Sequence, residues 1–286
     1  MNHYTRFRAY QLGEKGSSFS LSVDNFFILI EARYNEVNKP HIQWEMKNCG
    51  IDSIDVLHIT SWDDDHCRLS ELQAILTELK PKRIEYPGYT PHTSNGRACL
   101  LAIVKYYPPA ISVTPDVVRK QQFTRLFGSD LFYGPLNISV EIDSNDKSII
   151  KLFRIGSFQI LSLGDCENPE IADNLIKSEI IQNEVDILIL AHHGADNGFT
   201  STNFLKAVNP RIAVCACDWD NQYGHPAPTV RTMLANLNIP LITTKSGDII
   251  AQTIDKYSFK VSNYISNNEQ KGFVKTFMSK TFYTQD

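Results

Sequence analysis

Leu57-His58-Ile59-Thr60-Ser61-Trp62-Asp63-Asp64-Asp65-His66 is the stretch whose reading decides the fold. The apolar run from Ile54 to Ile59 reads as a short buried strand, and three carboxylates and an imidazole follow it. Like charges this dense repel one another unless a positive charge sits among them. A divalent ion would supply that charge, and Asp and His donors suit Zn²⁺, Mn²⁺ or Fe²⁺. A solvated acidic turn, capping a helix that starts near Arg68, explains the same residues without an ion. The stretch alone leaves both readings open.

Working outward, Leu69, Leu72, Ile75, Leu76 and Leu79 recur at helical spacing until Pro81. Arg83 to Tyr86 reads as a strand and Asn95 to Tyr107 as a helix. Upstream, Ser18 to Val23 and Phe26 to Glu31 form a hairpin around Asp24-Asn25, and Asn38 to Asn48 forms a helix before Gly50. Residues 108 to 136 give only a short strand and a mixed helix around Val117 to Leu126. The pattern then repeats. Leu136 to Ile142, Ser148 to Arg154 and Phe158 to Leu163 read as strands, followed by a helix from about Pro169 to Ser178. Strands Val185 to Leu190 and Arg211 to Ala216 alternate with helices Thr202 to Val208 and Ala227 to Leu237. Strands Leu241 to Thr243, Asp248 to Ile254 and Phe259 to Ile265 close the pattern.

Two such halves fit an α/β fold of the αββα type, with two mixed β-sheets packed face to face and helices outside. One domain is expected over residues 1–265. The tail, 266–286, differs in character. Phe273, Phe277 and Met278 predict one apolar stripe of a short amphipathic helix among Lys271, Lys275 and Lys280. That stripe would pack on the domain or receive a protein partner.

Composition narrows the function classes. The chain has 286 residues, 42% hydrophobic and 21% charged, enough for a full core. The formal net charge, 28 − 32 = −4, argues against a protein that coats nucleic acid generally. It leaves room for a local basic side built from Arg97, Lys105, Arg119, Lys120 and Arg125. No apolar run approaches the ~20 residues of a membrane span, so no membrane partner is expected. Met1 to Tyr10 lacks the apolar core of a signal peptide. The six scattered cysteines are therefore expected as reduced thiols in a cytoplasmic protein.

Four loops follow short apolar strands and present Asp or His: Asp63 to His66, Gly164-Asp165, His192-His193-Gly194, and Asn221 to Pro226. Strands of one sheet edge deliver their loops to one end, where sites form. Each loop has a plainer explanation. Asp165 could be a turn residue and helix cap, one of the paired histidines a core residue, and His225-Pro226 a turn. Those explanations do not account for all four loops ending an apolar strand.

The order and wording of the loops resemble the metallo-β-lactamase superfamily, and more narrowly the hydrolase domain of ComEC-type competence DNA-uptake proteins with their stand-alone soluble relatives. The likeness runs from about Phe7 to Ile254. It takes in the glycine turn Gly13 to Gly16, Glu31, Thr60 to His66, Asn145 to Ser148 leading to Gly164-Asp165, His192 to Gly194, and Asn221 to Pro226. The chain departs from the pattern at Ser61, where the first histidine of the metal motif is expected. It also departs at Cys67 and Arg68, in place of two glycines, and at Glu31, in place of Asp. His92 does not align with a further family histidine, and His58 lies within the strand, where a structural role is expected.

The resemblance implies one or two divalent metal ions, Zn or Mn. Asp65, His66, Asp165 and one of His192 or His193 would form one site. Asp165 would bridge toward a second, holding Asp63, which Ser61 weakens. His225 and Tyr223 would face the substrate, with His225 as general acid and Asp65 or Asp63 orienting the nucleophile. Asn221 would buttress the loop and Asp64 would be a solvated charge. The implied activity is metal-dependent hydrolysis of phosphodiester bonds by metal-activated hydroxide, with nucleic acid as substrate and DNA favoured. A degenerate relative that binds nucleic acid or a partner protein without turnover is the alternative, as is a hydrolase of small phosphodiesters or cyclic nucleotides. The biological setting stays open between DNA turnover and phage defence.

Overall fold

The computed structural model describes residues 4–106, 109–123, 129–265 and 270–281. Two sheets are built from strands of two to five residues, except for three longer ones at the C-terminal end of the described chain. The larger sheet contains β1 (Thr5–Ala9), β2 (Phe19–Val23), β3 (Phe26–Ile30), β4 (Val56–His58), β5 (Arg83–Pro87) and β6 (Ala110–Val113), with β13 (Gly247–Asp255), β14 (Ser258–Ile265) and β15 (Gln270–Met278). Its order is β15-β14-β13-β1-β2-β3-β4-β5-β6. The smaller holds β7 (Leu131–Phe132), β8 (Lys151–Phe153), β9 (Ile160–Ser162), β10 (Ile187–Ile189), β11 (Ile212–Cys215) and β12 (Leu241–Thr243), in the order β12-β11-β10-β9-β8-β7. Both are mixed. β3 to β6 run parallel, as do β9 to β12.

Strand parity sorts the core into three layers. Ile28 and Ile30 face inward with Phe7 and Phe19, against Phe153, Ile160, Ile187 and Ile189 of the other sheet. The alternate residues Phe27 and Leu29 face outward under α1 (Lys39–Asn48), α2 (Leu69–Ala74) and α3 (Ser94–Lys105), meeting Ile42, Leu72 and Ile103. On the far side, Leu161, Leu188 and Ala213 receive α5 (Pro169–Leu175), α6 (Glu179–Glu184), α7 (Thr202–Val208) and α8 (Pro228–Asn236) through Leu175, Ile181, Leu205 and Leu234. Each such fully buried side chain contributes roughly 1.5–3 kcal/mol of transfer free energy. The expected αββα sandwich is the fold observed. Helix ends follow local chemistry: Ser201 caps α7 by accepting from Phe204 N at 3.1 Å, and Asn209, at φ 44°, ends it before Pro210.

Two expectations need correction, and one helix goes beyond them. Leu136 to Ile142 is not a strand. Leu136 and Val140 are exposed, and the edge position belongs to Leu131–Phe132. Alternation alone does not make a strand when no neighbour offers a ladder. The helix α6 was hidden in a polar stretch and is capped by Ser178. The tail is not an amphipathic helix. Its described part forms β15, antiparallel to β14, with Phe277 stacked on Phe259 at 5.5 Å. Phe273 and Phe277 are four residues apart, and that spacing returns to one face in a strand as it does in a helix. The free edge of β14 decides between them. Around Val117 to Leu126 the described helix is α4 (Pro115–Phe123); the expected continuation to Leu126, the residue Arg125 and the start and end of the tail lie outside the described residues.

Candidate metal centre

The C-terminal ends of β4, β9, β10 and β11 deliver the four loops to one edge of the sandwich, the usual place for a site in parallel strands. There Asp65, His66, Asp165 and His193 converge, all buried, with one donor atom from each inside a sphere where no two lie more than 4.8 Å apart. His66 Nε2 stands 2.8 Å from Asp165 Oδ2, and His193 Nε2 stands 3.3 Å from Asp65 Oδ2.

Each imidazole is oriented from behind. His193 Nδ1 lies 2.8 Å from the Ala216 carbonyl, so Nδ1 carries the proton and the Nε2 lone pair faces the cluster. His66 Nδ1 lies 3.1 Å from Glu31 Oε1, with the Thr60 hydroxyl at 3.3 Å. Glu31 also accepts from Thr60 N at 3.0 Å. Backbone strain gathers at the same place: Glu31, His192 and His193 adopt φ of 70°, 43° and 53°. Gly164, at φ 56°, lets the chain turn against Ser148, which a Cβ would meet at 2.7 Å. Ser148 Oγ then accepts from Asp165 N at 3.2 Å, which is the structural sense of the Asn145 to Ser148 motif.

The chemistry of this donor set fits a cation. Asp165 Oδ1 is buried with no hydrogen-bond partner, and His66 Nε2 and His193 Nε2 face carboxylates of the same cluster, an arrangement that a bound cation would satisfy. Burial works against charge on His66, yet Asp165 and Glu31 raise its imidazolium well above the ordinary range. Burial likewise opposes ionisation of Asp65, yet His193, His66 and Lys15 hold its carboxyl far below the ordinary range. The carboxylates around His66 and the imidazoles and ammonium around Asp65 thus favour positive charge at this spot, which a bound cation would also supply.

Not every expected residue joins the cluster. His192 pairs with Glu167 instead. Asp63 is half-buried and held by the Ser61 hydroxyl, which donates to its Oδ2 at 3.1 Å; burial and Asp165 push its carboxyl up. Asp64 is exposed. His58 lies deep between the sheets, 2.9 Å from Glu85, and His92 is on the surface. Asn221 braces the last loop, donating to the His225 carbonyl at 2.9 Å and accepting from its N–H. His225 stacks between His193, at 6.5 Å and 17°, and the exposed Tyr223, at 5.6 Å and 20°. Burial together with His193, His192, Lys15 and Lys245 lowers the His225 imidazolium to about 4, so its resting form is neutral. Of the expected basic side, Arg97 holds the His92 carbonyl and Arg119 pairs with Asp116.

One further charged residue reaches the cluster. Lys15 Nζ lies 2.8 Å from Asp65 Oδ2 and 5.6 Å from the Tyr223 ring centre. Its only signal in the sequence is its place in the turn between Gly13 and Gly16, and its neighbour Glu14 pairs with Arg33 and Arg68 rather than with it.

No helix of the described residues is long and apolar enough to cross a membrane, and the six cysteines are free thiols. No family model matches the chain. It is 22% identical over 204 residues to ComE operon protein 3 of Bacillus subtilis (strain 168), an alignment covering 70% of this chain and 25% of that protein. The chain thus spans about a quarter of that relative's length. Among solved structures, the metallo-β-lactamase fold protein YhfI from Bacillus subtilis superposes with a TM-score of 0.52 at 11% identity, covering 87% of this chain and 100% of that one. Igni18, a metallo hydrolase from Ignicoccus hospitalis, gives a TM-score of 0.46 at 12% identity over 86% and 98% of the two chains. Two mixed sheets face to face, helices on both outer faces and a His/Asp cluster at one sheet edge therefore define this chain as having the metallo-β-lactamase fold.

Proposed function

We propose that the chain is a metal-dependent hydrolase of phosphodiester bonds, with DNA as the favoured substrate. The observation that carries this reading is the convergence of Asp65, His66, Asp165 and His193. Two carboxylates and two imidazoles make a donor set for Zn²⁺ or Mn²⁺. When bound, such an ion lowers the pKa of water toward ~7 and withdraws charge from a phosphoryl oxygen.

The chain's own residues do the rest. His66 and His193 present Nε2 because Glu31 and Ala216 fix their other ring nitrogens. Asp63, beside the cluster but outside it, orients the attacking water. His225, neutral at rest, donates a hydrogen bond to the phosphate, and Tyr223 flanks it on the solvent side. The phosphate's negative charge raises the affinity of His225 for a proton, which it passes to the leaving oxygen. Preference for nucleic acid rests on the ComEC-type resemblance and on the exposed Trp219 and Tyr223, whose faces suit base stacking.

A catalytically altered relative is the second reading, favoured by the Ser61–Asp63 hydrogen bond where a ligand histidine is expected. Metal content and turnover separate the two. Purified wild type is expected to retain about one equivalent of transition metal, and to cleave linear DNA more readily than RNA or a chromogenic phosphodiester. Asp65→Ala and His193→Ala are expected to abolish cleavage. Metal-free wild type after growth with Zn²⁺ and Mn²⁺, or equal activity in all three proteins, would overturn the hydrolase reading.

A further inference from the structure

The rim of the cluster carries a cation, Lys15, to which the glycine-turn motif assigned no role. Lys15 lies on the turn after β1, and its position is built rather than accidental. The turn is pressed onto the acidic loop: Ser17 N donates to the Asp65 carbonyl at 2.9 Å, and a Cβ on Gly16, at φ 137°, would stand 2.6 Å from that same oxygen. From behind, Arg33 fixes the turn. Its guanidinium, with no exposed side-chain surface, donates to the Lys15 carbonyl at 2.7 Å and pairs with Glu14 at 2.6 Å and Glu71 at 3.1 Å. The backbone of Lys15 is thus held, while its side chain is 55% exposed and reaches over the cluster to Asp65 and Tyr223.

Among the described residues, the same edge holds no second cluster of metal donors. Ser61 offers a hydroxyl already engaged with Asp63, and His192 has turned to Glu167. Lys15 brings positive charge directly onto Asp65 at this edge. Once an ion occupies Asp65, the ammonium loses its carboxylate partner. It is then left beside Tyr223 and His225, where the phosphate of a substrate would lie.

Resting on the hydrolase reading above, we propose that Lys15 is a phosphate-binding residue of this site: its ammonium takes a non-bridging phosphate oxygen and supplies charge that a second metal ion would otherwise bring. Lysine suits this task as a compact point charge with three donors.

The test compares full-length wild type with Lys15→Met and Lys15→Arg. Inorganic phosphate is titrated calorimetrically into metal-free and Mn²⁺-loaded protein, and Mn²⁺ affinity is measured separately. Lys15→Met is expected to weaken phosphate binding roughly tenfold or more, as loss of a charge-assisted hydrogen bond would. Lys15→Arg is expected to retain most of it. Mn²⁺ affinity in Lys15→Met is expected to equal or exceed that of wild type, because no ammonium competes for Asp65. Unchanged phosphate binding in Lys15→Met, no phosphate binding by wild type at millimolar concentration, or parallel loss of Mn²⁺ and phosphate would each overturn the proposal; the last would make Lys15 a prop for the acidic loop. A wild type that binds no metal but still needs Lys15 for phosphate would sink the hydrolase reading and leave the phosphate site standing.

Discussion

Glu31 holds His66 by its Nδ1 at 3.1 Å, so the imidazole turns its other nitrogen onto Asp165. Glu31 itself is buried at φ 70°, and its carboxylate is secured by Thr60. A strained backbone placed directly behind a candidate ligand indicates that the orientation of that ligand is worth its conformational cost. Replacing Glu31 by Ala is expected to weaken divalent-metal binding roughly 10–100-fold while the fold persists. Competition with a chromophoric chelator measures the affinity, and far-UV circular dichroism checks the fold. An unchanged affinity would remove Glu31 from the centre.

The adjacent histidines are expected to behave differently. His193→Ala should lose bound metal, because His193 is one of the four clustered donors. His192→Ala should keep it, because His192 pairs with Glu167 at the rim. Metal per chain, measured by mass spectrometry after desalting, decides the matter. Loss from both variants would mean that the two rings share one site.

Ser61 bears on how many ions the edge can hold. Ser61→His removes the hydroxyl that engages Asp63 and restores an imidazole at the expected ligand position. Stoichiometry is expected to rise from about one ion toward two. A variant that folds and still binds one ion would show that the second half-site lacks more than this residue.

Between the sheets, Lys151 Nζ stands 2.8 Å from Glu85 Oε2, and His58 Nδ1 reaches the same oxygen at 2.9 Å. Both partners are almost wholly buried, so Lys151→Met removes the ammonium from a buried carboxylate that keeps only His58 and Arg83, and is expected to cost about 3 kcal/mol in urea unfolding. Adding Glu85→Gln to it should recover part of the loss. Burial opposes ionisation of Glu85, but Lys151 and His58 outweigh it and hold the carboxyl well below its ordinary range. A depressed folded-state pKa stabilises the fold above the unfolded value of ~4.3 and loses that contribution as pH falls below it. The stability gap between wild type and Glu85→Gln should therefore shrink from pH 6 to pH 3, as followed by thermal melts. A gap that is flat with pH would contradict the pairing.

β15 is expected to matter for stability. Phe277 packs on Phe259 and joins the layer between the sheets. Phe277→Ala should lower stability by about 2–4 kcal/mol, somewhat less than a deeper site would lose, since the cavity lies at an edge. Exposed Met278→Ala should change it by less than about 0.5 kcal/mol. Equal effects would mean that the strand is not docked through Phe277.

The sequence alone determined the strand and helix alternation, the two-sheet architecture and the loops that carry Asp65, His66, Asp165 and the paired histidines. These are local facts. Strand parity at Ile187-Leu188-Ile189, a helix cap at Ser201, and glycines or short loops at strand ends are written in neighbouring residues. Only the tertiary structure decided which histidine faces the cluster, because His192 and His193 differ only in what stands opposite them: Glu167 for one, the Ala216 carbonyl and Asp65 for the other. It also brought Lys15 across 50 residues (65 − 15 = 50) onto Asp65, a contact with no signature in either segment. The tail became a strand rather than a helix for the same kind of reason. Its spacing allowed both, and the open edge of β14 selected the one that satisfied backbone hydrogen bonds. Periodicity is a property of one segment, whereas charge pairing and edge closure belong to two segments at once, and packing alone brings those together.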